Sequence, residues 1–115
     1  MNWRRYAGQT KPVRVKMVIA AVIAAAMAER AHAADIERGE YLASECVTCH
    51  QLSGHRTGGI PSIVGLAESH FIEALLAYKS GERDNEVMRT IVGSLTAEDI
   101  SALAAYFARQ GPETK

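Results

Sequence analysis

The sequence predicts an all-α domain of three to four helices arranged around an irregular loop. Three amphipathic patterns of helical period run through residues 34–110, and no segment alternates apolar and polar residues as a half-buried strand does. One glycine-rich stretch, 51–67, separates the first pattern from the others. The 115-residue chain has room for one such domain at most.

The first third reads differently. Residues 1–16 carry Arg4, Arg5, Lys11, Arg14 and Lys16 and no acidic side chain, and Met17–Ala28 is an unbroken apolar run. Ala31-His32-Ala33 then places small residues at both positions that a signal peptidase reads. A basic start, a short apolar stretch and an A-x-A site together predict a secretory signal peptide over 1–33, with the mature domain at 34–115. A membrane span needs about 20 apolar residues, and Glu29 and Arg30 end this run early. The expectation is therefore export to the periplasm, with no stable membrane insertion after cleavage. Six of the thirteen basic residues but one of the thirteen acidic ones precede Ala34, which leaves the mature part with a net charge of −5. That balance excludes a nucleic-acid binder, which needs a basic face.

In the mature segment, "ADIERGEYLASEC" (34–46) predicts a helix with Asp35 as N-cap and Ile36, Tyr41 and Leu42 on one side. The segment from Ser69 places Phe71, Ile72, Leu75, Leu76 and Tyr78 at helical spacing and ends at Gly81. A shorter helix is expected at 85–92. In "TAEDISALAAYFARQG", Thr96 and Asp99 resemble a capping box, Ile100, Leu103, Ala104 and Phe107 share a face, and Gly111-Pro112 closes the helix. A loop as long as 51–67 in so small a domain is usually functional or wrapped around something.

Both cysteines lie in one stretch, "CVTCH", Cys46 to His50. A redox dithiol of this spacing belongs in a βαβ setting, and the chain predicts no strand. A structural zinc site wants four ligands, usually two separated pairs, and only one cysteine pair exists. Covalent haem attachment uses every element: two thiols on one helical turn reach one edge of the porphyrin, and the following histidine offers a ring nitrogen to the iron. Cys46, Cys49 and His50 are therefore assigned to one haem c. Met88 is the single methionine after residue 33 and lies 38 residues beyond His50, far enough for the chain to return to the other side of the cofactor. It is preferred as second axial ligand over His70, which opens an amphipathic helix, and over His55, which is too close to His50. Arg83 and Arg89 flank Met88, either as partners of the haem propionates or as solvated surface.

With those residues in place the mature segment resembles the class I cytochromes c. The resemblance implies the fold of that class, three to four helices wrapped around one covalently attached haem. It also implies a crossing of the first and last helices, where Gly39 with Tyr41 or Leu42 would meet Leu103 and Tyr106. Pro61, in "GGIPSIVGL", corresponds to the family's proline whose carbonyl receives the haem-ligating histidine. The run "AYKSGER" before "VM", followed by "LTAEDI", is similar to small bacterial periplasmic monohaem cytochromes and to the haem subunit of flavocytochrome c sulfide dehydrogenase. The expected function is single-electron transfer between redox protein partners, without catalysis by this chain. The alternative is a haem subunit that accepts electrons from a flavoprotein. A ligand-binding haem protein would require Met88 to be off the iron.

Overall fold

The computed structural model describes residues 12–111 and contains four α-helices: α1 Pro12–Val47, α2 Glu68–Ser80, α3 Glu86–Gly93 and α4 Ala97–Arg109. The basic residues Arg4, Arg5 and Lys11 and the helix-closing Pro112 lie outside the described residues. Among the described residues the only β pairing is an isolated Thr57–Ile60 bridge in the loop, so the all-α prediction holds. The chain divides into two compact units, one ending at His32 and one beginning at Ala33.

In the first unit the helix is apolar and its side chains are exposed, Val18, Ile19, Val22 and Met27 among them. One position departs from expectation: Asp35 caps nothing and lies inside α1. The residues before it, Ala-rich from Ala24 to Ala34, are strong helix formers. With the backbone already helical on its N-terminal side, there are no free N–H groups for Asp35 to receive.

In the second unit the core is built on α4. Phe107, Ile100, Leu103 and Val92 are the largest fully buried side chains. Phe71 of α2 stacks on Phe107 at 5.4 Å between centroids, and Tyr106 meets the same ring edge-on at 5.1 Å. Such aromatic pairs are worth about 0.5–1.5 kcal/mol beyond the area they bury. Two large residues predicted inward are exposed: Tyr41 (80 %) on α1 and Leu76 (47 %) on α2. The inward face of α1 is instead Gly39 and Ala43, flanked by Leu42 and Cys46. That choice follows from how closely α1 approaches α4. A Cβ on Gly39 would fall 2.1 Å from the Ala102 carbonyl oxygen and 2.8 Å from the Tyr106 Cβ. The expected crossing of first and last helices is therefore present, with glycine against backbone rather than tyrosine against leucine.

The helix ends follow the chemistry of their caps. The Thr96 hydroxyl accepts from the Asp99 N–H (3.2 Å), and the Asp99 carboxylate accepts in return from the Thr96 N–H (2.9 Å), which completes the capping box of α4. Arg38 of α1 donates to the same carboxylate from Nε at 2.8 Å and from Nη2 at 2.6 Å. Asn85 caps α3, its side chain accepting from the Met88 N–H at 3.0 Å. Gly81 ends α2 in the left-handed conformation, φ +83°. The loop is fastened to α4 by the Gly65 N–H, which donates to the Phe107 carbonyl at 2.9 Å.

Candidate functional site

The CVTCH motif occupies the C-terminal end of α1 and the turn that follows it. The His50 N–H donates to the Cys46 carbonyl at 2.8 Å, continuing the helical pattern, and the Cys49 N–H reaches the same oxygen at 3.2 Å. The turn therefore places Cys49 on the exposed side while Cys46, closer to the core, is half-buried. The two thiols are free, not joined in a disulfide. Burial, reinforced by the neighbouring Glu45 carboxylate, pushes the Cys46 thiol above its ordinary pKa. It is thus protonated and poorly nucleophilic at neutral pH.

The His50 ring is held by the loop. Its Nδ1 lies 2.8 Å from the Pro61 carbonyl oxygen. A carbonyl oxygen only accepts, so Nδ1 carries the proton and the Nε2 lone pair is left for a metal. This is the arrangement in which an outer hydrogen bond fixes the tautomer of a ligating histidine. Gly58, with φ +61°, turns the loop inside the Thr57–Ile60 bridge, three residues before Pro61.

Met88 lies in the first turn of α3, half-buried, its backbone fixed by Asn85. Cys46, Cys49, His50 and Met88 all line one chamber of about 90 Å³, with Phe71 and Leu103 behind them. An adjoining cleft of about 480 Å³ is lined by Cys49, His50, Pro61, Ile63, Leu75 and Met88, among others. That size falls within the roughly 300–1,000 Å³ of sites for large organic ligands, which are mostly apolar with a few convergent polar groups. The donor set, two free thiols, an imidazole with its Nε2 available and a thioether against apolar walls, fits a haem.

The remaining candidates separate clearly. His70 stands on the cleft wall but is exposed, and His55 is exposed and does not line the cleft. Arg83 lines the cleft, its guanidinium 4.8 Å above the Tyr78 ring. Arg89 does not line it and instead forms an exposed ion pair with Asp84 at 3.8 Å. Arg56 also lines the cleft, although no pattern in the sequence singles it out. A lone arginine in a glycine-rich loop has no periodicity to mark it. Among the described residues, Arg56 and Arg83 are the only Lys, Arg, Asp or Glu side chains of the cleft lining.

The sequence profile of the family described as Cytochrome c matches residues 36–110. The chain is 35 % identical over 94 residues to cytochrome c-553 of Helicobacter pylori (strain J99), covering 80 % of this chain and 95 % of that protein. It is 32 % identical over 75 residues to a thiosulfate dehydrogenase electron acceptor of Thiomonas intermedia, covering 64 % of this chain and 35 % of the relative. To cytochrome c4 of Pseudomonas aeruginosa it is 28 % identical over 97 residues, 83 % of this chain and 48 % of the relative. The chain thus spans between a third and a half of the length of these last two proteins. With the profile covering the helical domain and the cysteine pair of its motif, the chain belongs to the cytochrome c family, as an all-α class I electron-carrying cytochrome with one haem c bound covalently through Cys46 and Cys49.

Proposed function

We propose that the chain is exported to the periplasm and carries single electrons between redox proteins, with His50 and Met88 as the residues that would hold the haem iron and Pro61 orienting His50. The observation that carries this reading is the convergence of Cys46, Cys49, His50 and Met88 on one chamber, with the His50 Nδ1 committed to the Pro61 carbonyl. When bound, the haem supplies an iron that alternates between ferric and ferrous states. The residues do the rest. The hydrogen bond to Pro61 holds the imidazole in one tautomer and raises its donor strength, while the soft thioether of Met88 favours the ferrous state and raises the potential. Phe71, Leu75 and Ile63 exclude water from the cleft walls. With His50 and Met88 both holding the haem iron, no ligand position would be left for a substrate, and the reading is of a carrier rather than a catalyst.

Export is supported by the exposed apolar stretch of α1. Although Glu29 ends its unbroken apolar run, which predicts a stretch too short for a span, that helix is long and apolar enough to cross a membrane, a property signal sequences share. Cleavage after Ala33 is expected, and the mass of the protein recovered from the periplasm checks it.

A second reading concerns the electron donor. Two relatives, from Thiomonas intermedia and Stutzerimonas stutzeri, are named thiosulfate dehydrogenase electron acceptors. This favours a dehydrogenase of reduced sulfur compounds as donor. A flavoprotein sulfide dehydrogenase belongs to the same class of donor, and co-purification with a flavin-bearing chain would identify it.

The ligation is tested by the absorption spectrum of the mature protein beside Met88→Ala. The wild type is expected to show a haem c spectrum with a weak far-red sulfur-to-iron band, which the variant loses. The same spectrum with no such band in the wild type, and carbon monoxide binding to the reduced form, would exclude Met88 as ligand.

A further inference from the structure

We infer that Lys79 is a positioning residue for Met88: its ammonium clamps the far end of the Met88-bearing helix to α2, and so holds the sulfur in its ligating position. The spectroscopic part of this inference rests on the Met88 ligation proposed above.

Helix α3 spans Glu86–Gly93, eight residues. Isolated helices shorter than about 12–15 residues are marginal in water, so α3 depends on its anchors. Its first turn is held by the Asn85 side chain on the Met88 N–H, and its inward face by Val92, which is fully buried. At the other end the helix runs out of N–H partners for its last carbonyls, and the Val92 carbonyl accepts from the Leu95 N–H at 3.2 Å. There Lys79, in the last turn of α2, donates to the Leu95 carbonyl and, at 3.5 Å, to the Val92 carbonyl. The Ser94 hydroxyl takes the Ile91 carbonyl at 3.2 Å.

One cation therefore binds the end of α3 and the start of the α3–α4 connection at once. It does so from the helix whose Phe71 and Leu75 line the same chamber as Met88. Positive charge at a helix C-terminus also interacts favourably with the helix dipole. Lys79 itself is exposed and makes no contribution to the core, so its effect is confined to where α3 lies. Without the clamp, the α3 segment is expected to detach before the domain unfolds, as a local opening rather than a global one.

The test uses the mature haem protein with Lys79→Met, which keeps the length of the side chain and removes its donors, and Lys79→Arg, which restores donors. Hydrogen exchange of the amides in 86–93 reads the clamp without reference to the iron. Exchange there is expected to accelerate by about tenfold in Lys79→Met, as for loss of a charge-assisted hydrogen bond, while α4 is unchanged. The far-red band of Lys79→Met should vanish at lower denaturant than the far-ultraviolet helix signal, whereas in wild type and Lys79→Arg the two coincide more closely. Exchange in 86–93 that does not change, or that accelerates equally across α4, overturns the proposal. Should Lys79→Met fail to take up haem, Lys79→Gln is read by the same two criteria. Accelerated exchange in Lys79→Met, together with a wild type that lacks the far-red band, would leave the clamp standing and remove the Met88 ligation instead.

Discussion

Gly39 shows how sharply one position can be determined by its neighbour. Alanine is the better helix former by about 0.8–1.0 kcal/mol, so on propensity alone Gly39→Ala would stabilise α1. The added Cβ, however, would fall 2.1 Å from the Ala102 carbonyl oxygen, which is backbone and cannot rotate away. Overpacking of this kind costs about 1–3 kcal/mol, and the steric effect wins. Gly39→Ala is expected to lower the unfolding free energy by up to about 2 kcal/mol, measured from the denaturant midpoint at unchanged slope, with Gly39→Val worse. An unchanged midpoint would mean that α1 and α4 separate freely. The cysteines of the haem attachment were legible for a related reason. The spacing in CVTCH is dictated by the covalent chemistry it serves, so Cys46 and Cys49, and His50 as the proposed ligand, could be read without a fold. Pro61 came from the family resemblance and was then found 2.8 Å from the His50 ring. Arg56 was not legible, because its place in the cleft depends only on how the loop turns.

At the scale of elements, what the sequence revealed were helix ends with a side-chain or glycine signature, Gly81 after α2 and the Thr96–Asp99 box before α4, whereas Asn85, expected as the first residue of a short helix, is the cap of α3. Hidden were the beginning of α1, where Ala-rich residues carry the helix through Asp35, and the inward face of α1. Periodicity weights large apolar residues, and this crossing buries small ones, leaving Tyr41 outside. Asp99 joins two of these elements, since it caps α4 and receives Arg38 from α1. The hydrogen bond from the Thr96 backbone, followed by those from the Arg38 and Thr96 side chains, lowers the Asp99 pKa below its ordinary value. A carboxylate with a depressed folded-state pKa adds stability that is fully present above the unfolded value of about 3.9 and is lost as pH falls through the folded value. Asp99→Asn is therefore expected to be less stable than wild type at pH 7, with the difference shrinking as the pH drops below about 4. Thermal unfolding of both proteins across pH 2–7 checks it, and a difference independent of pH would show that the ionised carboxylate is not what joins α1 to α4.

The whole domain depends on a cofactor it cannot replace with its own side chains. The second unit, which begins at Ala33, is near the limit of about 70–80 residues below which a single core supplies only a few kcal/mol and a staple is usually required. No disulfide joins Cys46 and Cys49, and no metal-ligating group of three or more acidic, histidine or cysteine residues occurs among the described residues. The apolar walls of the cleft, Ile63, Phe71, Leu75 and Val87, come from the loop, α2 and α3. Those segments join Ile100, Leu103 and Phe107 of α4 in one core through Val64, Phe71, Leu75 and Val92, while another part of their apolar surface faces the cleft. Removal of the covalent attachment should thus separate two kinds of stability. In Cys46→Ala/Cys49→Ala protein prepared without haem, much of the far-ultraviolet helix signal is expected to remain. The near-ultraviolet signal and the cooperative thermal transition should be lost, and the dye anilinonaphthalene sulfonate should bind, as in a molten globule. Addition of haem should restore part of the cooperativity through His50 and Met88 alone, and less of it in a triple variant that also carries His50→Ala. A cofactor-free double variant that melted as sharply as the wild type would place the stability in α4 and its partners. The haem would then be a passenger in a fold complete without it, and the long loop of residues 51–67 would have to be held by its own contacts.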